Sequence, residues 1–369
     1  MSFIVKDCYN LDLLNFINVL TADKFYVNCH KRAFKKYYPL LTDKTKQNIQ
    51  EIVRIHGRTN VSHYLTAIIS AVPDFDNANL VELLGNTNQL GAYYSKYSYY
   101  DSQEWDEKKE IFNLLVEVLK DIEQTDFREE WLRQRLPRIN SKKHEIMEFA
   151  NNFHINDEIE NLLGIKKNNN DIILYLCSLA YPHGIKICGS KFISDIRYSK
   201  QFTLRIAIHE LFHPPYNTKN IEYELQCLAK DNLIEKAFKS QLPNFAYSNI
   251  IGFIEENVVE AMELFISKKI GLVHDELMYL KKHDNGSHVF SFILLKYFRE
   301  HQKDICIPFE EYFKGILKVM PIGSLQSEYD EIINSVSCKN PISRIVKSLK
   351  IIWKAVVNNF FATKPGKNR

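Results

Sequence analysis

At 369 residues, 45% of them hydrophobic, the chain is long enough to bury a sizeable core, and the length prior favours two domains or one large one. Its 48 basic and 45 acidic residues leave a net charge of only +3 with no long basic block, which argues against nucleic acid as the main partner. Seven cysteines, odd in number and without a C-x-x-C pair, indicate neither a disulfide framework nor a cysteine zinc knuckle. The N-terminal stretch carries Lys6, Asp7 and Asp12 where a secretory leader needs an unbroken apolar run, and no stretch has the length of a membrane span. A cytoplasmic location is the expectation.

Residues 1–165 read as a helical N-terminal domain. Apolar residues at helical spacing mark 11–20, 45–56, and 61–72, which Pro73 closes; 103–124 gives the clearest stripe. The tyrosine-rich run 93–100 reads as packing between helices more readily than as a ligand groove. Trp131, Arg133 and Arg135 fall on a short helix expected to end near Pro137. A polar run at 164–170 reads as a loop, and a change of composition follows it. Short apolar runs at 171–180 and 185–188, with another near 192–198, are bounded by Pro182-His183-Gly184 and Gly189-Ser190 and read as strands.

Residues 206–213, Ile-Ala-Ile-His-Glu-Leu-Phe-His, hold the pattern H-E-x-x-H as His209, Glu210 and His213. Residues four apart share one face of a helix, so two imidazoles at this spacing can bind one metal ion. Glu210 then stands beside the ion, where a carboxylate can move a proton from water to a leaving amine. Phe202, Leu204, Ile206, Ala207, Ile208, Leu211 and Phe212 surround the motif, as on a buried helix. Pro214 and Pro215 close that helix, placing both histidines on its last turn. Further helices are expected near 220–240, 248–268 and 287–301.

A catalytic zinc takes three protein ligands, so the histidines need a partner. The pattern H-E-x-x-H-x-x-G-x-x-H is excluded by Tyr216 and Lys219, and the same lysine excludes an aspartate there. A cysteine ligand as in peptide deformylases falls on Cys188, without the glycine-rich context of that family. Residues 251–265 form an apolar helix interrupted by Glu255, Glu256, Glu260 and Glu263. Glu256 and Glu260 lie one turn apart, so one can ligate while the other orients a histidine; the bland alternative is a solvated acidic face.

Here the chain resembles the gluzincins, thermolysin-like zinc peptidases with H-E-x-x-H and a downstream E-x-x-x-D/E helix. The resemblance covers about residues 185–270. It implies His209, His213 and Glu256 as zinc ligands, Glu210 as general base, and Glu260 as the acid that hydrogen-bonds a ligating histidine. It also implies a small sheet before the motif helix whose edge strand pairs with an extended peptide. Two departures stand out: the prolines directly after His213, and glutamate at 260 where aspartate is the commoner choice.

The expected fold is therefore α+β and mostly α, with a helical N-terminal domain (1–165), a zincin-like catalytic domain (166–320) and a C-terminal helical extension packed on it (321–369), which carries an apolar and basic stretch at 344–361. The expected function is zinc-dependent hydrolysis of a peptide or protein substrate, with Zn2+ as cofactor and neither a nucleic-acid partner nor a membrane span. Tyr216, Tyr223, His283 and His288 are candidate donors to the reacting carbonyl oxygen. The rival expectation is a non-catalytic α-helical interaction protein with a structural or decayed metal site. Nothing in the sequence sets an oligomeric state.

Overall fold

Helices dominate a computed structural model that describes residues 3–97, 100–164, 171–241, 247, 249–282 and 286–338. Among these, four strands form one mixed sheet, so the fold is α+β and mostly α as expected. No described helix is long and apolar enough to cross a membrane. The chain divides into two compact units, Met1–Asn156 with Lys166–Leu211, and Asp157–Ile165 with Phe212–Arg369. The strands expected in a separate catalytic domain thus share a unit with the N-terminal helices, and the division falls inside the H-E-x-x-H motif.

The first unit is built around a buried helix and the sheet beside it. Strand β1 (Phe3–Asp7) leads into helix α1 (Tyr9–Leu20), in which every residue from Asn10 to Leu20 is buried. A helix apolar on all sides belongs in a core, but α1 also buries Asn10, Asp12, Asn15 and Asn18, and polar groups so placed need partners. Asn10 Nδ2 donates to the carbonyls of Phe75 (2.8 Å) and Ala78 (2.9 Å). Asn18 exchanges hydrogen bonds with Ser62, at the start of the helix Val61–Ile69. Asp12, fully buried, accepts from Ser178 N, Leu179 N, the Ser178 hydroxyl and Trp131 Nε1 at 2.7–2.8 Å.

Strands β2 (Ile172–Cys177), β3 (Ile185–Ile187) and β4 (Lys191–Asp195) complete the sheet in the order β1-β2-β4-β3. β1 and β4 flank β2 in parallel, with Phe3 opposite Ile172 and Ile173 opposite Lys191; β3 runs antiparallel to β4 at the edge. β2 is apolar almost without alternation, as a central parallel strand must be. β1 has no counterpart in the sequence reading, because its five residues include Lys6 and Asp7 and only Val5 is fully buried.

Elsewhere in this unit the helices fall near their expected places, with three differences. The stripe at 103–124 is two helices, Ser102–Lys108 and Glu110–Glu123. Tyr94 packs edge-on against Tyr100 and lies against Trp105, which fits the packing reading of the tyrosine run. Pro137 does not close a helix: it stands at the start of the helix Leu136–Ala150, which follows the π-helical turn Trp131–Arg135 directly.

In the second unit the helix expected over 220–240 is split into Glu222–Ala229 and Asn232–Lys239. Asp231 sits at the break, accepting from Leu233 N (2.9 Å) and, through its other oxygen, from Gly323 N (2.7 Å) and Leu325 N (3.3 Å). One buried carboxylate thereby caps two helices, the second being Leu325–Cys338 of the C-terminal extension. The apolar and basic stretch 344–361 lies outside the described residues, as does most of the 164–170 loop.

Two predictions follow from the polar core of the first unit. In Asp12→Asn the amide NH2 must face an N–H donor whichever way it turns, so the variant should lose about 1–3 kcal/mol in a urea titration followed by tryptophan fluorescence; an unchanged midpoint would refute the network's role. Burial pushes the imidazoles of His30 and His56 down to about 4. In the unfolded chain both take up protons near pH 6.5, whereas in the fold they stay neutral, so their stabilisation is complete above about pH 6.5 and is lost as pH falls toward 4. Melting temperature should drop across that window, and His56→Gln should flatten the slope.

Candidate metal centre

The first two residues of the motif, His209 and Glu210, lie on helix α2 (Lys200–Leu211). Thr203, Leu204, Ala207, Ile208 and Leu211 form its buried side, and the Thr203 hydroxyl lies 3.3 Å from that of Ser194 on β4. His209 and Glu210 are half-buried on the last turn. His213 differs from the expectation: the helix stops at Leu211, and His213 stands two residues beyond it, directly before Pro214 and Pro215.

The third residue comes from helix α3 (Ile250–Lys269), whose N-cap Asn249 accepts from Gly252 N at 2.8 Å. Asn257 locks this helix to helix α4 (Val289–Glu300). Fully buried, it donates to Phe253 O (2.8 Å) and accepts from Phe290 N (3.1 Å) and Ser291 N (3.3 Å), while the Ser291 hydroxyl donates to its carbonyl (2.7 Å). The exposed backbone donors at the start of α4 are thus satisfied by a side chain on α3. That side chain is the neighbour of Glu256, so the same clamp fixes the rotation of the glutamate helix.

His209, His213 and Glu256 each bring one ligand atom into a group whose members all lie within 4.8 Å of one another. His213 is held from both sides: Nε2 is 3.5 Å from Glu256 Oε2, and Nδ1 is 3.5 Å from Glu255 Oε1. For metal–ligand bonds of about 2.0–2.1 Å at tetrahedral angles, neighbouring donors sit about 3.3 Å apart. The separation between Nε2 and Glu256 Oε2 is close to that value and longer than a good hydrogen bond. Two imidazole nitrogens and a carboxylate oxygen so grouped could hold a metal ion.

The glutamates of α3 do not form a solvated face. Glu260 and Glu263 are buried, at 5% and 1% exposure. Glu260, expected to hydrogen-bond a ligating histidine, is outside the ligand group, and the carboxylate seen on the second nitrogen of His213 is Glu255. The sequence offered a signal for this in the adjacent pair Glu255-Glu256, whose side chains diverge enough to reach both nitrogens of one ring. Among the described residues Cys188 falls in no candidate metal group, and its thiol lies 3.1 Å from Ala67 O.

The four candidate oxygen-stabilising residues are dispersed. Tyr216 is buried and stacked on Phe313 at 5.4 Å, its hydroxyl pushed up by burial and then by the charge of Glu255. Tyr223 is 78% exposed. His288 is buried beside a cavity of about 520 Å³ lined also by Lys236, Tyr247, Phe253 and Tyr329. His283 lies outside the described residues. A residue that spacing could not reveal is His63, about 150 residues upstream of the motif, whose imidazole feels the charge of Glu210.

No protein-family model matches this chain, and no curated protein or solved structure matches it either.

Glu256→Gln should abolish retention of a divalent ion on dialysis. Glu255→Gln should leave binding measurable but weaker by about 10- to 100-fold, the usual loss when the group behind a ligating histidine is removed. Competition titration against a chromophoric chelator reads both, and equal affinities for Glu255→Gln and the unmodified chain would remove Glu255 from the site.

Proposed function

We propose that this chain is a zinc-dependent metallopeptidase of the gluzincin type, cleaving peptide bonds in a peptide or protein substrate. One observation carries the reading: a glutamate from a separate helix, Glu256, joins both histidines of the H-E-x-x-H motif within 4.8 Å. Two imidazoles and one carboxylate make the donor set of hydrolytic zinc sites, which leave a coordination position open. A purely structural site has no use for the carboxylate of Glu210 between the histidines. The small sheet ahead of the motif helix, with β3 at its edge, adds support, since an edge strand is where an extended peptide can pair by its main chain.

In this reading His209, His213 and Glu256 hold the ion, and Glu255 fixes the ring of His213. When bound, zinc supplies Lewis acidity and makes water a nucleophile near neutral pH. Glu210 accepts a proton as the water oxygen bonds to the scissile carbonyl carbon. As the C–N bond breaks, Glu210 returns that proton to the departing nitrogen, so the products are a carboxylic acid and an amine and the carboxylate is regenerated.

The unmodified chain should therefore carry about one zinc and cleave members of a mixed peptide library in a chelator-sensitive way. Glu210→Gln should keep the metal and lose about 10²- to 10⁴-fold in turnover, because an amide holds position without accepting a proton. Full turnover in that variant, with zinc retained, would overturn the assignment.

A further inference from the structure

The cavity of about 520 Å³ beside His288 lies wholly within the second unit, and its volume falls in the range of about 300–1,000 Å³ typical of small-molecule sites. Hydrogen bonds fix each of its walls. The helix Asn232–Lys239 contributes Leu233 and Lys236; Asp231, which caps it, also takes Gly323 N and Leu325 N at the start of the helix Leu325–Cys338, from which Gln326 and Tyr329 line the cavity. Phe253 belongs to α3, and its carbonyl accepts from Asn257 Nδ2 while Asn257 Oδ1 grips the start of α4, next to Val289. Tyr247 is held by its N–H on Gln241 Oε1 (2.9 Å), with Gln241 Nε2 donating to Phe238 O (2.7 Å). The space is thus framed by fixed elements, as preformed ligand sites are.

Its lining divides by depth. Leu233, Phe253 and Val289 are buried; the rings of Phe253 and Tyr247 meet at 6.0 Å, and Phe292 braces Tyr329 edge-on at 5.6 Å. Lys236, Ser240 and Gln326 are exposed and mark the mouth. Among the described residues of the lining there is no carboxylate, and Lys236 is the one permanently charged side chain. Glu235, its neighbour in sequence, is engaged by Lys239 at 2.5 Å, and Lys236 has no ion pair among the described residues. The apolar stem of a lysine can lie along such a wall and keep its ammonium at the opening. An aromatic interior with one cation at its rim complements a molecule with a flat apolar body and a single negative group at one end, and repels a cationic one.

We propose that this cavity is a binding site for a small amphipathic anion, an aryl carboxylate whose rings lie against Phe253, Tyr247 and Tyr329 and whose carboxylate pairs with Lys236 at the mouth. None of the residues grouped for a metal lines it, so the site stands apart from the peptidase reading. An exposed ion pair contributes at most about fivefold to affinity, so most of the binding comes from the apolar body and the charge decides which end faces out.

The experiment uses the full chain and a matched pair of probes, naphthylacetate and its neutral amide naphthylacetamide, titrated by calorimetry. The unmodified chain should bind the acid about fivefold more tightly than the amide. Lys236→Met, which keeps the stem and removes the charge, should erase that difference and leave the affinity for the amide unchanged. Ala237→Trp and, as a second route, Ser240→Trp place an indole in the cavity and should abolish binding of both probes with the helical far-UV signal retained. Because a carboxylate can also ligate a metal, the acid is titrated against Glu256→Gln as well, where its affinity should equal that of the unmodified chain. Absence of binding by either probe, a preference for the acid that survives Lys236→Met, full binding by a folded tryptophan variant, or loss of binding in Glu256→Gln overturns the inference. Each of these results leaves the peptidase reading to its own test.

Discussion

The first unit depends on one buried carboxylate. Asp12 lies in a helix with no exposed side, and desolvation there raises its pKa; the hydrogen bonds from Ser178 and Trp131 and the charge of Arg135 act against that effect. The donors come from two distant stretches: Ser178 and Leu179 follow the end of β2, and Trp131 precedes the Leu136–Ala150 helix. Arg135 extends the arrangement by donating to the Ser178 hydroxyl at 3.2 Å. A side chain with two oxygens thus sets where the sheet's carboxyl edge lies against α1, with little tolerance, because every alternative placement strands a buried N–H.

The candidate metal centre follows a related logic with different geometry. Two prolines stop helix α2 before the second histidine, so His213 is freed from the helical repeat and meets Glu255 and Glu256 on its two ring nitrogens. With a cation on Nε2 the ring would carry its proton on Nδ1, the nitrogen that faces Glu255. Asn257 then ties the glutamate helix to its neighbour through three hydrogen bonds, next in sequence to the residue whose position matters most. Rigidity is placed one residue away from the chemistry.

The H-E-x-x-H motif, the glutamate helix and three of the four strands were legible because each is local: a spacing of four, an apolar stripe, a short β-branched run between turn residues. Glu256 could be singled out among four glutamates only through a family pattern, since helical spacing alone makes 256 and 260 equivalent. The carboxylate beside the other nitrogen of His213 is Glu255, which helical spacing did not single out. Glu255 reaches His213 because the histidine has left its helix, and no periodicity encodes that departure. β1 escaped because two of its five residues are charged, and its strand character comes from a partner far along the chain.

The pairing of β1 with β2 also imposes an order of events in time. Phe3 lies opposite Ile172, so the two halves of this pair are separated by about 170 residues of mostly helical chain. At about 5–20 residues per second, β1 leaves the ribosome some ten seconds or more before its partner exists. The α-helices between them close short-range contacts quickly, whereas this ladder must wait for a long loop to close. A strand kept waiting is a liability for pairing with other nascent chains, and charged residues on an edge restrain that. Lys6 and Asp7, which disguise β1 in the sequence, are thus well suited to protecting it during synthesis.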